Sequence, residues 1–126
     1  SALLFSLLGS LTTSTLSAQV ASGRIEGTIT DPTGATIPNA TITVRDTRRD
    51  IRSRTTSNTE GVFIFPSLQP STYQLTVEAL GFSKQIVENI ELNVSATVSQ
   101  LIKLEIGAVT EQVVVSAEAV RINTSD

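Results

Sequence analysis

The chain has no histidine and no cysteine among its 126 residues. Histidine is the usual general base near neutral pH, and cysteine supplies thiol nucleophiles, thiolate ligands and disulfides. Without either residue, most classes of enzyme and the common zinc sites are disfavoured. The acidic residues lie at turns and on predicted solvent-facing strand positions, so no carboxylate pair can be argued to share a site. The sequence therefore predicts no catalytic residue, no metal site and no cofactor.

Aromatic residues and net positive charge are also scarce. The chain has no Trp, one Tyr and four Phe, and its formal net charge is -3. Nucleic-acid binding normally draws on excess positive charge and on aromatic rings that stack with bases. The composition thus gives no reason to expect a nucleic-acid partner, and the lack of Trp argues against a flat platform for sugars.

One apolar stretch stands apart at the start of the chain. Residues 2–11 are mostly Leu, Ala and Phe, and small polar residues then lead to Leu16-Ser17-Ala18-Gln19. This order is typical of the hydrophobic region and cleavage site of a secretory signal peptide, and the stretch is too short to span a bilayer. We interpret residues 1–18 as a signal-peptide remnant cleaved after Ala18, and residues 19–23 as a spacer. A buried helix or strand is the alternative interpretation.

From residue 24 to residue 119 short alternating segments are separated by turn residues. Ile25, Gly27 and Ile29 share one face of the first segment, as expected when one face of a strand packs on a core. Asp31-Pro32-Thr33-Gly34 has the residues that a type I turn favours, and Pro38-Asn39 predicts a second turn before residues 40–45 alternate again. The pattern predicts an all-β sandwich.

A strongly charged segment follows the second predicted strand. Residues 45–54 hold five Arg and two Asp. One interpretation is a cationic patch for a carboxylate, a phosphate or lipopolysaccharide. The other, which we favour, is a solvated hairpin tip whose charges keep a sheet edge from pairing with other chains. The candidate patch consists of Arg45, Arg48, Arg49, Arg52 and Arg54.

Aromatic residues mark the next two predicted strands. Gly61 is expected to adopt a positive φ before a short apolar strand in which Phe63 and Phe65 face the core. Tyr73 begins a long alternating strand, and we expect its ring to be buried and its hydroxyl to bond with the backbone. Apolar alternation continues beyond Gly81, but the breaks between the later strands cannot be placed.

The order of these turns and strands resembles the carboxypeptidase regulatory-like domain. The resemblance covers residues 24–107 and implies a transthyretin-like, Ig-like sandwich of about seven strands that is an accessory module and not a catalyst. Ser71 stands where this family usually has Gly, and Asn58-Thr59-Glu60 replaces its commoner acidic turn. The resemblance rests on Gly27-Thr28-Ile29-Thr30-Asp31, Gly34, Pro38-Asn39-Ala40-Thr41-Ile42, Glu60-Gly61-Val62-Phe63, Leu68, Pro70, Tyr73-Gln74-Leu75-Thr76-Val77 and Gly81.

Residues 108–119 admit two interpretations. Their continuous run of Val predicts a last sandwich strand that is buried on both faces. A sandwich of this family with such a segment directly after it is also similar to the N-terminal extension of Oar-like TonB-dependent outer-membrane receptors, where the segment is the TonB box. The resemblance assigns the box to Glu111, Gln112, Val113, Val114, Val115, Ser116 and Ala117.

The receptor resemblance implies a non-catalytic periplasmic module that docks or signals during energy-coupled uptake. Its partners would be the periplasmic domain of TonB, bound by strand addition, and the plug and barrel of its own longer chain. Residues 120–126 would be a linker to that plug, and the location would be the periplasmic face of a Gram-negative outer membrane. The alternative is a carbohydrate- or peptide-binding accessory module of a secreted hydrolase or an adhesin.

Overall fold

A computed structural model describes Gly9, residues 22–108 and residues 110–117. The proposed signal-peptide remnant, apart from Gly9, and the proposed linker at residues 120–126 lie outside the described residues. In the described part of the chain every regular element is a β-strand. None of these residues forms a helix long and apolar enough to cross a membrane.

Eight strands form two sheets within the described residues. One sheet has the order β4-β1-β7 and the other has the order β3-β2-β5-β6-β8. Most neighbours are antiparallel, but β1 pairs with β7 and β6 pairs with β8 in parallel. The predicted β-sandwich is confirmed, with one strand more than the seven expected. The strands are β1 Gly23–Thr30, β2 Thr41–Asp46, β3 Ile51–Thr56, β4 Val62–Leu68, β5 Ser71–Glu78, β6 Lys84–Leu92, β7 Thr97–Lys103 and β8 Gln112–Ser116.

The core lies between the two sheets and is built from alternate residues of the strands. The alternation predicted for β1, β2 and β5 is confirmed, since every second residue of each is buried. Phe63 and Phe65 point inward as predicted and meet edge to face, with ring centroids 6.2 Å apart. Burial of each large apolar side chain contributes about 1.5–3 kcal/mol. The largest fully buried side chains are Phe63, Ile25, Ile29, Ile42, Leu75, Ile90, Ile102, Leu104, Val44 and Val77.

Gly27 occupies a core-facing position of β1 because a larger residue has no room there. It lies opposite Phe63 on β4 and opposite Gln100 on β7. A Cβ atom at this position would lie 2.7 Å from the Phe63 ring and closer still to the Gln100 carbonyl oxygen. The glycine therefore lets the Phe63 ring approach the backbone of β1 closely.

Side-chain oxygens fix the turns that the sequence predicted. Asp31 Oδ1 accepts hydrogen bonds from the backbone N of Thr33 at 2.8 Å and from Thr33 Oγ1 at 2.6 Å. Asn58 Oδ1 accepts from the backbone N of Glu60 and of Val62, both at 2.9 Å. The amide oxygen of Asn58 thus accepts backbone hydrogen bonds in its turn, as the carboxylate of Asp31 does in the turn at residues 31–34. The expected positive φ of Gly61 is confirmed at 74°.

An extra residue in β6 explains why the later strands could not be delimited from the sequence. Tyr73 and Leu75 of β5 lie opposite Ile90 and Val87 of β6, so two steps along β5 match three along β6. Asn89 has a φ of 61° in this bulge. Because of the bulge, Val87 and Ile90 both face the core although they are three residues apart.

Tyr73 has the structural role expected of it. The residue is buried, and its hydroxyl donates a hydrogen bond to the carbonyl oxygen of Gln69. Burial, followed by the negative charge of nearby Asp46, raises the pKa of the Tyr73 hydroxyl. The ring and its hydrogen bond hold the connection between β4 and β5 against the core.

A buried carboxylate joins the β2–β3 turn to the start of β5. Asp46 Oδ1 accepts from Ser71 Oγ at 2.6 Å and from the backbone N of Arg48 at 2.9 Å. Asp46 Oδ2 accepts from the guanidinium of Arg49 at 2.9 Å. Ser71 is itself buried. The serine that replaces the family's usual glycine thus supplies a hydrogen-bond donor to the buried carboxylate.

These donors decide the ionisation of Asp46. Burial alone raises the pKa of a carboxyl group, but the hydrogen bonds from Ser71, from Arg49 and from two backbone amides outweigh it. The pKa of Asp46 falls from an ordinary 3.8 to about 2. The folded state therefore favours the ionised form, and the resulting stabilisation is fully present above pH 3.8 and is lost as the pH falls to about 2.

We predict that Asp46→Asn lowers the free energy of unfolding at pH 7 by about 2 kcal/mol, because charge-assisted hydrogen bonds are lost. The variant should also lose less stability than the wild type between pH 4 and pH 2, as measured by urea unfolding. Glu60→Gln is the control, since Glu60 is an exposed carboxylate in a different turn. An equal acid dependence in the wild type and in Asp46→Asn would contradict the assignment.

We predict that Gly27→Ala lowers the free energy of unfolding by about 2 kcal/mol, because the added methyl group must displace the Phe63 ring or the β7 backbone. Thermal or denaturant unfolding measures the change. Gly34→Ala tests a different effect, because Gly34 has open space around its Cβ position but a φ of 90°. A Gly27→Ala protein as stable as the wild type would show that this contact is not tight.

Candidate functional site

The predicted TonB box forms the last strand of the five-stranded sheet. Gln112–Ser116 is β8, and it pairs in parallel with β6 alone, with Val114 opposite Ile86. Glu111 precedes the strand and Ala117, which packs against the core, follows it. The structure therefore brings the seven residues of the proposed box together at one sheet edge.

The strand is exposed, so the prediction that its Val run is buried on both faces is wrong. Val113, Val114 and Val115 retain 37%, 51% and 39% of their accessible surface. The opposing sheet has three strands and this sheet has five. A layer of three strands does not extend over the edge of a layer of five, so neither face of β8 is covered.

The outer edge of β8 presents backbone hydrogen-bonding groups. The backbone N of Lys84 donates to the carbonyl oxygen of Glu111 at 2.9 Å, which directs Glu111 toward β6. Backbone groups of successive strand residues point to opposite sides, so Val113 and Val115 also face β6. The N–H and C=O groups of Gln112, Val114 and Ser116 are therefore directed away from the sheet. These are the groups that a further strand would pair with.

The residues that protect exposed edges in other proteins are missing from β8. Charged side chains, Pro and bulges normally discourage pairing with another chain. Among the other sheet edges, β3 carries Arg52 and Arg54, β4 carries Pro66 and β7 carries Lys103. The β8 segment is Gln-Val-Val-Val-Ser, without charge or Pro. It is the edge on which strand addition meets the fewest obstacles.

The candidate cationic patch lies at the β2–β3 hairpin, where three of its five Arg side chains pair with Asp. Arg45 Nε lies 2.8 Å from Asp50 Oδ1, and Arg52 lies 3.8 Å from the same oxygen. The hydrogen bond from Arg45 and the charge of Arg52 lower the pKa of Asp50. Arg49 pairs with Asp46. The pairing and the position of β3 at a sheet edge favour the hairpin interpretation, and anion binding stays a prediction.

A shallow groove that sequence reasoning did not identify lies on the three-stranded sheet. It has a volume of about 470 Å³, and Leu101 beside it is 79% exposed. Arg24 and Glu26 form an ion pair of 2.6 Å on the same sheet. Sequence reasoning missed the groove because β1, β4 and β7, which form it, are distant in sequence. The lining residues are Glu26, Gly27, Thr28, Val62, Ser99, Gln100 and Leu101.

Neither aromatic platforms nor metal-ligand clusters appear in the part of the chain that the structure describes. Phe63, Phe65 and Tyr73 are buried in the core, and Phe82 is partly buried against it. Within the same residues no group of three or more acidic side chains could hold a metal ion. The exposed features that remain are the β8 edge, the Arg hairpin and the shallow groove.

Two packed β-sheets, short turns held by Asp and Asn side chains, and a buried Tyr at a strand start define a β-sandwich of the transthyretin-like or Ig-like class. Residues 24–105 match the profile of the carboxypeptidase regulatory-like domain. The chain belongs to this family, as the resemblance over residues 24–107 predicted. No curated protein matches the chain.

Solved structures share the fold at low sequence identity. The Bacillus anthracis TIE protein is 14% identical with a TM-score of 0.59, over 68% of this chain and 17% of that one. A candidate carbohydrate binding protein from Bacteroides uniformis is 19% identical with a TM-score of 0.54, over 65% and 40%. Catechol 1,2-dioxygenase from Acinetobacter radioresistens is 14% identical with a TM-score of 0.51, over 79% and 58%. This chain thus spans 58% or less of each protein, and the likenesses show the fold alone.

We predict that the backbone amides of β8 exchange with solvent faster than those of β5, because β8 has one neighbouring strand and exposed side chains. Amide hydrogen exchange followed by NMR or mass spectrometry at pH 7 measures the difference. The amides of β3, which is also an edge strand but pairs antiparallel, provide the comparison. Equal protection of β8 and β5 would show that β8 opens only with the whole domain.

Proposed function

We propose that this domain is the non-catalytic periplasmic N-terminal module of a TonB-dependent outer-membrane receptor, with residues 111–117 as its TonB box. The observation that carries the proposal is the exposed, uncharged edge strand β8 directly after a domain of this family. The export signal predicted at residues 1–18 supports the same proposal. The location is the periplasmic face of the outer membrane.

Strand addition is the mechanism. The periplasmic domain of TonB pairs its own sheet edge with the outward N–H and C=O groups of β8, and the alternating Val side chains fix the register. Because β8 contacts one neighbouring strand and its side chains are exposed, a pull on it separates fewer contacts than a pull on a central strand. The force passes to the plug of the longer chain, and the plug and barrel carry out transport.

The non-catalytic role is supported by what the acidic side chains do. Asp31 holds a turn, and Asp46 is enclosed by donors from its own hairpin and from Ser71. Carbohydrate binding, the alternative function, has less support. Its usual platform is an exposed aromatic ring, and the rings of Phe63, Phe65 and Tyr73 are in the core.

Binding to the periplasmic domain of TonB tests the proposal. We expect the 126-residue chain to bind it, and Val114→Pro to raise the dissociation constant about 10-fold or more, because Pro removes an outward N–H. Pro is tolerated in an edge strand where the N–H faces solvent, so the variant should fold. Isothermal titration calorimetry at low chain concentration measures the constant.

Leu101→Ser is the control, because it removes an exposed apolar side chain from the opposite sheet and should leave the constant unchanged. If the wild-type chain fails to bind a TonB domain that binds a known box peptide, the receptor proposal is wrong. Reading the gene past the codon for Asp126 provides an independent check. A frame that continues into a hydrolase would favour the accessory-module alternative.

A further inference from the structure

We infer that two copies of this chain pair through β8, antiparallel and about a twofold axis at Val114, to form one continuous sheet. Each copy contributes the five strands of its larger sheet, so the joined sheet has ten. The partner is a second copy of this chain, and the interface requires no other protein. The inference is independent of the receptor function proposed above.

The sequence of β8 is nearly symmetric about its centre. Gln112 and Ser116 are the polar ends of the strand, and Val113, Val114 and Val115 lie between them. Antiparallel pairing centred on Val114 places Val114 opposite Val114, Val113 opposite Val115, and Gln112 opposite Ser116. Side chains that lie directly opposite each other in this way interact and stabilise adjacent strands.

The outward backbone groups fit the same register. Residues that lie directly opposite in an antiparallel ladder and exchange two hydrogen bonds must both direct their N–H and C=O toward the partner. Gln112, Val114 and Ser116 do so on each copy, since Lys84 bonds to Glu111 on the inner side. Pairing Gln112 with Ser116 and Val114 with Val114 therefore satisfies all six outward groups of each strand.

The absence of charge in β8 favours this edge for pairing between two copies. In the proposed register Glu111 lies opposite Ala117, so no two like charges meet in this part of the interface. Self-pairing through β3 would instead bring Arg52 and Arg54 of both copies together, and β4 carries Pro66. Like charges directly opposite in a sheet are destabilising. β8 therefore suits a second copy better than β3 or β4 does.

Sedimentation velocity of the 126-residue chain over increasing concentration tests the inference. We expect a reversible monomer–dimer equilibrium, and Val114→Pro should raise its dissociation constant about 30-fold, because each copy loses one backbone hydrogen bond. Leu101→Ser should leave the equilibrium unchanged, since it alters apolar surface away from β8. A wild-type chain that stays monomeric at about 1 mM, or a Val114→Pro chain that dimerises like the wild type, overturns the inference.

A crosslink tests the register without a change to the backbone. The chain has no cysteine, so a single Cys reports one position. Two residues in a hydrogen-bonded antiparallel pair have Cα atoms about 5.5 Å apart, which is within the range of a disulfide. Under mild oxidation Val114→Cys should form disulfide-linked dimers more than 10-fold faster than Leu101→Cys. Equal rates at the two positions would overturn the twofold register.

The dimer and the proposed TonB complex use the same backbone groups, so their tests are kept apart. The dimerisation experiments contain no TonB, and a failure there leaves the receptor proposal standing. A failure to bind TonB likewise leaves the dimer standing. Protection of the Gln112, Val114 and Ser116 amides that rises with chain concentration alone supports the dimer. Amide protection that does not change with concentration contradicts it.

Discussion

The unequal width of the two sheets determines most of what this domain can do. Three strands cover five, so the inner faces of β2, β5 and β6 form a dry core while β3 and β8 extend beyond it. The side chains of both overhanging strands stay largely exposed, so burial stabilises these strands less than the central ones. The side chains of β3 and β8 therefore face solvent or other chains, and the two edges differ in charge. One is rich in Arg and the other is an uncharged run of Val.

The charged edge is tied to the core through one buried carboxylate. Asp46 bonds to the turn on one side and to Ser71 on the other, and Thr47 Oγ1 donates to the carbonyl oxygen of Thr72 at 2.8 Å. The hairpin tip thus shares its hydrogen bonds with the start of β5. These hydrogen bonds hold the β2–β3 turn, and with it the exposed strand β3, in a fixed position. The negative charges of Asp46 and Asp50 also offset two of the five positive charges in residues 45–54.

Sequence reasoning succeeded where structure depends on nearby residues. The alternation of Ile25 and Ile29, the Asp31 turn and the inward Phe63 all follow from local patterns. It failed at the bulge around Asn89 because the extra residue is visible only against the register of β5. It was wrong about the burial of Val113–Val115, because a run of Val indicates a strand but not what lies opposite it. The sequence predicted a last strand at these residues, but its exposure at a sheet edge depends on the width of the other sheet.

Addition to β8 and displacement of β8 are two physically different ways for a partner to use this edge. Displacement would break the pairing of β8 with β6 and would uncover part of Gln85 and Val87, which lie opposite Val113 and Val115 and are 9% and 3% exposed. Addition uncovers nothing and satisfies the outward groups of Gln112, Val114 and Ser116. A partner that arrives without an energy source should therefore add to β8 where it lies. In the proposed receptor, removal of the strand from β6 would require work that the energised partner supplies, so binding and pulling would be two successive steps.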